Sequence, residues 1–126
     1  MKQEEIASTI RTSFPLLHGL EISDAIAARA TSLSLPSGKI LMQPGETINL
    51  IPLVIKGSVK VVRADEAGHE VLLYYIHPGE SCAMTLSSCL KKEKSKVKAV
   101  VQQATQLIGI PADQAYMLGR KFPAWL

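Results

Sequence analysis

His77-Pro78-Gly79-Glu80-Ser81-Cys82-Ala83-Met84 is the stretch on which the reading of this chain turns. Ahead of it, Val71-Leu72-Leu73-Tyr74-Tyr75-Ile76 reads as a strand that stops abruptly at a Pro-Gly turn signal. Behind it come small residues able to open a helix, then a lysine-rich run from Lys91 to Lys98. Strand, tight turn, helix start and nearby cationic charge together form a general arrangement for holding a small anion. The first amides of a helix have no intrahelical acceptor, and the helix dipole places partial positive charge on them.

Working outward, the residues before the turn alternate. Ser58-Val59-Lys60-Val61-Val62-Arg63 puts Val59 and Val61 on one face and Lys60 on the other, and Asp65-Glu66-Ala67-Gly68 reads as a hairpin loop leading back into Val71–Ile76. Upstream, Ser32–Leu35, Lys39–Met42 and Ile48–Ile55 read as short strands punctuated by Pro36-Ser37-Gly38 and Pro44-Gly45. Pro52 argues that its strand is an edge or carries a bulge, and Gly57 marks a bend. After the turn, Ala83–Leu90 reads as a short helix. Strand alternation resumes over Ser95–Val101, and Gln106–Ile110 forms a last strand before a closing helix from Pro111-Ala112-Asp113 to Lys121. At the front, residues 3–17 form an amphipathic helix (Ile6, Ile10, Phe14, Leu17), with Pro15 near its end, and Ser23-Asp24 opens a second helix to Ala30.

Many short strands with a turn signal every ~8–12 residues predict a mainly β chain, a sandwich, jelly roll or small barrel with helices at both ends. At 126 residues the chain is one domain, 1–126, large enough for a core without staples. No apolar run approaches the ~20 residues a membrane span needs, and Met1-Lys2-Gln3-Glu4-Glu5 lacks the pattern of a secretory signal, so the cytoplasm is the expected compartment. The formal charge of +3, supplied largely by Lys91–Lys98, suits an anionic ligand.

Four short motifs in order, Pro44-Gly45-Glu46, Val54-Ile55-Lys56-Gly57-Ser58-Val59, Gly68-His69-Glu70 and Pro78-Gly79-Glu80, resemble the cyclic nucleotide-binding domain. Pro78–Cys82 and Ile110-Pro111 are most similar to the N-terminal sensor domain of Crp/Fnr-type bacterial transcription regulators, and the resemblance runs from Phe14 to Phe122. It implies a double-stranded β-helix (jelly roll) with a phosphate-binding cassette after its sixth strand. The Gly79-Glu80 pair would place the Glu80 carboxylate on a ribose hydroxyl, the backbone of Ser81, Cys82 and Ala83 would surround a phosphate, and Lys94 with Ser95 would stand where the family carries its cassette arginine. No arginine lies between Arg63 and Arg120. Lysine is a point charge without the planar fork that grips phosphate bidentately, so a cyclic nucleotide stays a weakened candidate and the effector is open. The resemblance also implies a cytoplasmic homodimer that reaches DNA through a domain expected to lie outside this chain, since a dimerisation helix would begin near Phe122–Leu126.

The competing readings come from other classes. A degenerate pocket would leave an interaction or dimerisation module with no ligand. Cys82 at a helix start could be a redox sensor together with Cys89, although a free cysteine is more often a small buried hydrophobe. Their spacing matches no common zinc pattern. His18, His69 and His77 are scattered, which argues against a metal-holding cupin-type enzyme, and no nucleophile elbow, P-loop or zincin motif is present. No catalytic or metal site is expected.

Overall fold

A computed structural model describes residues 1–14, 17 and 19–121 of the chain. Helices α1 (Gln3–Ser13) and α2 (Leu20–Ala27) precede strands β1 (Thr31–Leu35), β2 (Ile40–Met42), β3 (Leu50–Ala64) and β4 (Glu70–Ile76). Helix α3 (Ala83–Leu90), strand β5 (Lys98–Pro111) and helix α4 (Ala112–Lys121) follow.

The strands form one antiparallel sheet ordered β1-β5-β3-β4, with β1 and β2 both paired to one side of β5 and β3 to the other. The sheet, bent along its two long strands, is the predicted mainly β jelly roll with flanking helices. The sequence divides each long strand in two, and the structure joins the pieces: β3 runs through Gly57, and β5 through the stretch between Val101 and Gln106. The reason is physical. A bulge bends a strand without ending its hydrogen-bond ladder, and the β3–β5 register slips three times between Val54 and Val59. Among the described residues, five strands thus replace the larger number that punctuation implied, and the cassette follows the fourth of them.

β3 as a whole is an inner strand of the sheet, but the part that carries Pro52 pairs with a strand on one side alone, so the expected edge position holds locally. β4 pairs only with Val59–Ala64, so the Leu50–Lys56 half of β3 is open on that side. The turn after β4 docks there instead. The Gly79 amide donates to the Val54 carbonyl at 2.8 Å, and the Val54 amide donates to the Glu80 carbonyl at 3.0 Å. A proline costs no ladder bond in such a position.

Ile51, Leu53, Val54, Val59, Val61, Ile108 and Ile110 of the sheet are buried in one hydrophobic cluster, which Ile6, Ile10 and Ile26 from the helices join. The two N-terminal helices differ from their sequence reading. α1 stops at Ser13, where the Phe14 amide still reaches the Ile10 carbonyl at 2.9 Å, and Pro15 falls outside the described residues. α2 begins at Leu20, so Ser23 is not its cap. Ser23 is buried within the helix, and its hydroxyl accepts a hydrogen bond from Arg11 Nη1 at 2.9 Å. That tertiary partner satisfies a hydroxyl which local pattern assigns to a helix end. α4 is tied back to the α2 end of the molecule: Arg29 Nη2 lies 3.1 and 2.9 Å from the two Asp113 carboxylate oxygens, and Gln114 Nε2 donates to the Ala25 carbonyl. The Arg29 hydrogen bond holds the Asp113 carboxyl below its ordinary range.

Candidate functional site

The turn at Pro78-Gly79 needs a residue with positive φ, and Gly79 supplies it at +85°. It also sits where a Cβ would come within 3.0 Å of the Ser13 carbonyl, so the end of α1 backs the turn. Glu80 closes the turn on itself. One carboxylate oxygen accepts the His77 amide at 2.7 Å and lies 3.2 Å from His77 Nδ1, while the side chain remains about half exposed at 55%. Ser81 fastens the next step to the sheet, its hydroxyl donating to the Pro52 carbonyl at 2.6 Å.

Cys82 occupies the N-cap position of α3 and is buried, without capping the helix through its side chain. Tyr74 does that work from the neighbouring strand. Its hydroxyl accepts the Met84 amide at 3.2 Å and lies 3.3 Å from Cys82 Sγ, to which the Thr85 hydroxyl donates at 3.0 Å. Burial, reinforced by the adjacent thiol, pushes the Tyr74 phenol well above its ordinary range, so it is a neutral hub. Sequence reasoning passed over both Tyr74 and Thr85. The signal for Tyr74 was its place in β4: strand alternation puts it on the same face as buried Ile76 and turns Tyr75 outward.

Beneath α3 lies a recess of ≈ 80 Å³, floored by apolar groups of Leu41, Met42, Leu50, Pro52 and Ala99 and reached by Cys82 and Thr85. Sites for drug-sized ligands enclose about 300–1,000 Å³. The recess is several times smaller than that, and of the cassette residues only Cys82 lines it.

The structure brings Gly79, Glu80, Ser81 and Cys82 together with exposed Ala83, but it carries Lys94 and Ser95 elsewhere. Ser95 is a buried strut: its hydroxyl donates to the Val97 carbonyl at 2.8 Å, and its backbone pairs with Gly45 and Glu46 at 2.8 and 2.9 Å. Lys94 is exposed and lines a separate groove against α4, not the recess. The lysine run does not converge on the turn. Lys96 pairs with Glu93 and Lys98 with Glu70, each at 2.9 Å, while Lys92 Nζ sits 4.6 Å from the centre of the Tyr116 ring.

Both cysteines are free and buried. Cys89 Sγ reaches the Ala112 carbonyl at 3.4 Å, and burial pushes its thiol up. Among the described residues no group of three or more His, Cys, Asp or Glu could hold a metal ion, and no helix is long and apolar enough to cross a membrane.

The cyclic nucleotide-binding domain family matches residues 32–121. Among solved structures, a Ruegeria pomeroyi DSS-3 protein provisionally described as cyclic nucleotide binding is similar to 98% of this chain at 25% identity and a TM-score of 0.81; the match covers 54% of that protein. The Thermus thermophilus catabolite activator protein is similar over 88% of this chain and 52% of its own length, at 28% identity and a TM-score of 0.71. The sensor domain of the transcriptional regulator DNR from Pseudomonas aeruginosa shares the fold, with a TM-score of 0.77 at 17% identity, over 97% of this chain and 82% of that one. The chain thus spans about half the length of the first two. No curated protein sequence matches it.

Proposed function

This chain belongs to the cyclic nucleotide-binding domain family, and from that premise we propose that it is the effector-sensing domain of a Crp/Fnr-type transcription regulator. The effector is a small anion other than cyclic AMP or cyclic GMP, received at Gly79–Ala83. The domain performs no catalysis. It acts in the cytoplasm as part of a homodimer, and DNA is bound by a further domain outside this chain.

One observation carries the reading: α3 is held at both ends by contacts that link the cassette to the closing helix. At its start, the Met84 amide is bonded to the Tyr74 hydroxyl at 3.2 Å. At its end, Cys89 touches the carbonyl of Ala112, the first residue of α4. A charged acceptor makes a stronger hydrogen bond to an amide than a neutral hydroxyl does. An anion arriving at the helix start would displace Tyr74, shift α3, and pass the shift to α4. That is a two-state element biased by differential binding.

Tyr74→Phe tests the relay without any ligand. Losing the hydroxyl leaves the Met84 amide without its partner, at a cost of about 1 kcal/mol. Amide hydrogen exchange should then quicken roughly fivefold around Met84–Leu86, and the α4 amides around Ala115–Leu118 should quicken with them while β1–β5 pairing keeps its protection. Unchanged α4 exchange would remove the relay.

The small recess and the self-capped helix favour a second reading, in which the cassette takes no ligand and the domain is an interaction or dimerisation module. It separates from the first by the absence of any anion whose binding depends on Tyr74.

A further inference from the structure

A second, larger hollow of ≈ 510 Å³ lies between the loop after α3 and the exposed side of α4. Its rims are unlike each other. Lys92 and Lys94 stand on the loop side, Tyr116 and Met117 on the α4 side, and Thr47 with Ile48 lies between. Its volume falls within the roughly 300–1,000 Å³ typical of small-molecule sites. Thr47 also lines the recess, so the two hollows adjoin across the β2–β3 loop.

The charge in this groove is unbalanced. Its carboxylates are already engaged, Glu93 by Lys96 and Asp113 by Arg29, each at 2.9 Å. Among the described residues neither Lys92 nor Lys94 has a carboxylate partner; Lys92 rests on the Tyr116 ring instead. Lys92 ends α3 in the left-handed region, φ 56°, in a Schellman cap where the Glu93 amide bonds the Ser88 carbonyl at 2.8 Å and the Lys92 amide bonds that of Cys89 at 3.0 Å. Met117 is 65% exposed, a large apolar side chain with no cover. Two ammonium groups lacking counter-charges, an aromatic face and a polarisable thioether form the complement of a flat apolar anion.

We propose that this groove is a second ligand site, distinct from the cassette, and that it takes a small aromatic carboxylate. The ring lies along Tyr116 and Met117, and the carboxylate faces Lys92 and Lys94. Such an occupant touches the loop after α3 and α4 together and holds them at a fixed spacing.

The test is a titration of the isotope-labelled chain with 2-naphthoate and, separately, with its neutral isostere 2-naphthamide, followed by backbone amide shifts. Naphthoate should give saturable shifts at Thr47, Ile48, Lys92, Lys94 and Tyr116. The amide should bind roughly tenfold more weakly, since an exposed charge contact is worth up to about fivefold and two are lost. Lys92→Gln with Lys94→Gln should bring naphthoate down to the affinity of the amide. Equal affinity of acid and amide, shifts gathered at Leu41 and Thr85 of the recess, or no saturable shift at millimolar naphthoate would each overturn the proposal. The comparison of acid with amide needs no variant, so it stands even if the lysine substitutions disturb folding.

Discussion

Gly57→Ala is expected to lower the unfolding free energy by about 3 kcal/mol or more, a large loss for one added methyl. Two costs coincide at this position. Gly57 has φ +89°, where an L side chain is strained by roughly 1–2 kcal/mol. The new Cβ would also stand 2.5 Å from Thr105 Oγ1 and 2.8 Å from its Cα, with the Ala104 carbonyl closer still. Backbone cannot swing away as a long side chain can, so the β3–β5 pairing itself must yield, at about 1–3 kcal/mol for overpacking. Gly68→Ala is the control. It has nearly the same φ, +84°, and open space around it, so only the backbone term applies. Urea unfolding of both variants measures the difference, and equal losses would show that the close approach of β5 is not what Gly57 serves. The bend also orients the half of β3 that carries Val54, so the more damaged variant should lose the docking of Gly79 and Glu80 as well.

Ile108→Ala should cost about 2–5 kcal/mol, which for a chain of this size lowers the melting temperature by roughly 10 °C or more. Ile108 is fully buried on β5, with Leu53 of β3 on one side and Ser32 of β1 on the other, so no single wall can collapse into the space left. Ile108→Val removes one methylene and should cost about 0.5–1.5 kcal/mol. Leu72→Ala on β4, where the side chain is 49% exposed, should change stability by no more than about 0.5 kcal/mol. Thermal unfolding of the three variants gives the order directly. If Ile108→Ala proved as mild as Leu72→Ala, the buried cluster described for the sheet would be wrong.

Much of this architecture was legible because its signals are local. Gly68 and Gly79 mark turns by needing positive φ, the alternation of β4 separates Tyr74 from Tyr75, and α3 runs from Ala83 to Leu90 as the pattern indicates. What escaped is non-local. Gly57 looks like a break, and only the approach of Ala104 and Thr105 shows that it lets one long strand bend. Ser23 looks like a cap because its partner, Arg11, lies on another helix. The candidate site follows the same division. Gly79 to Ala83 are neighbours in sequence and in space. Lys94 joins them only through the family resemblance, as the residue nearest the place of the cassette arginine, and the chain after α3 carries it round to a groove lined by Tyr116 and Met117 of α4. Tyr74, which caps the Met84 amide next to the amides assigned to a ligand, belongs to the preceding strand, and nothing in its spacing tells which backbone amide its hydroxyl will meet.

We propose that this member of a cyclic nucleotide-binding family senses something other than cyclic AMP or cyclic GMP, because it lacks the cassette arginine and its Met84 amide is already bonded to Tyr74. A thermal-shift measurement with cyclic AMP and cyclic GMP, on the wild-type chain and on Glu80→Ala, tests it most directly. The account predicts no rise in melting temperature with either nucleotide. A ligand at ~100 times its dissociation constant adds about 2.7 kcal/mol of stability, a rise of several degrees. Such a rise, present in the wild type and absent in Glu80→Ala, would contradict the account and return this cassette to cyclic nucleotide binding.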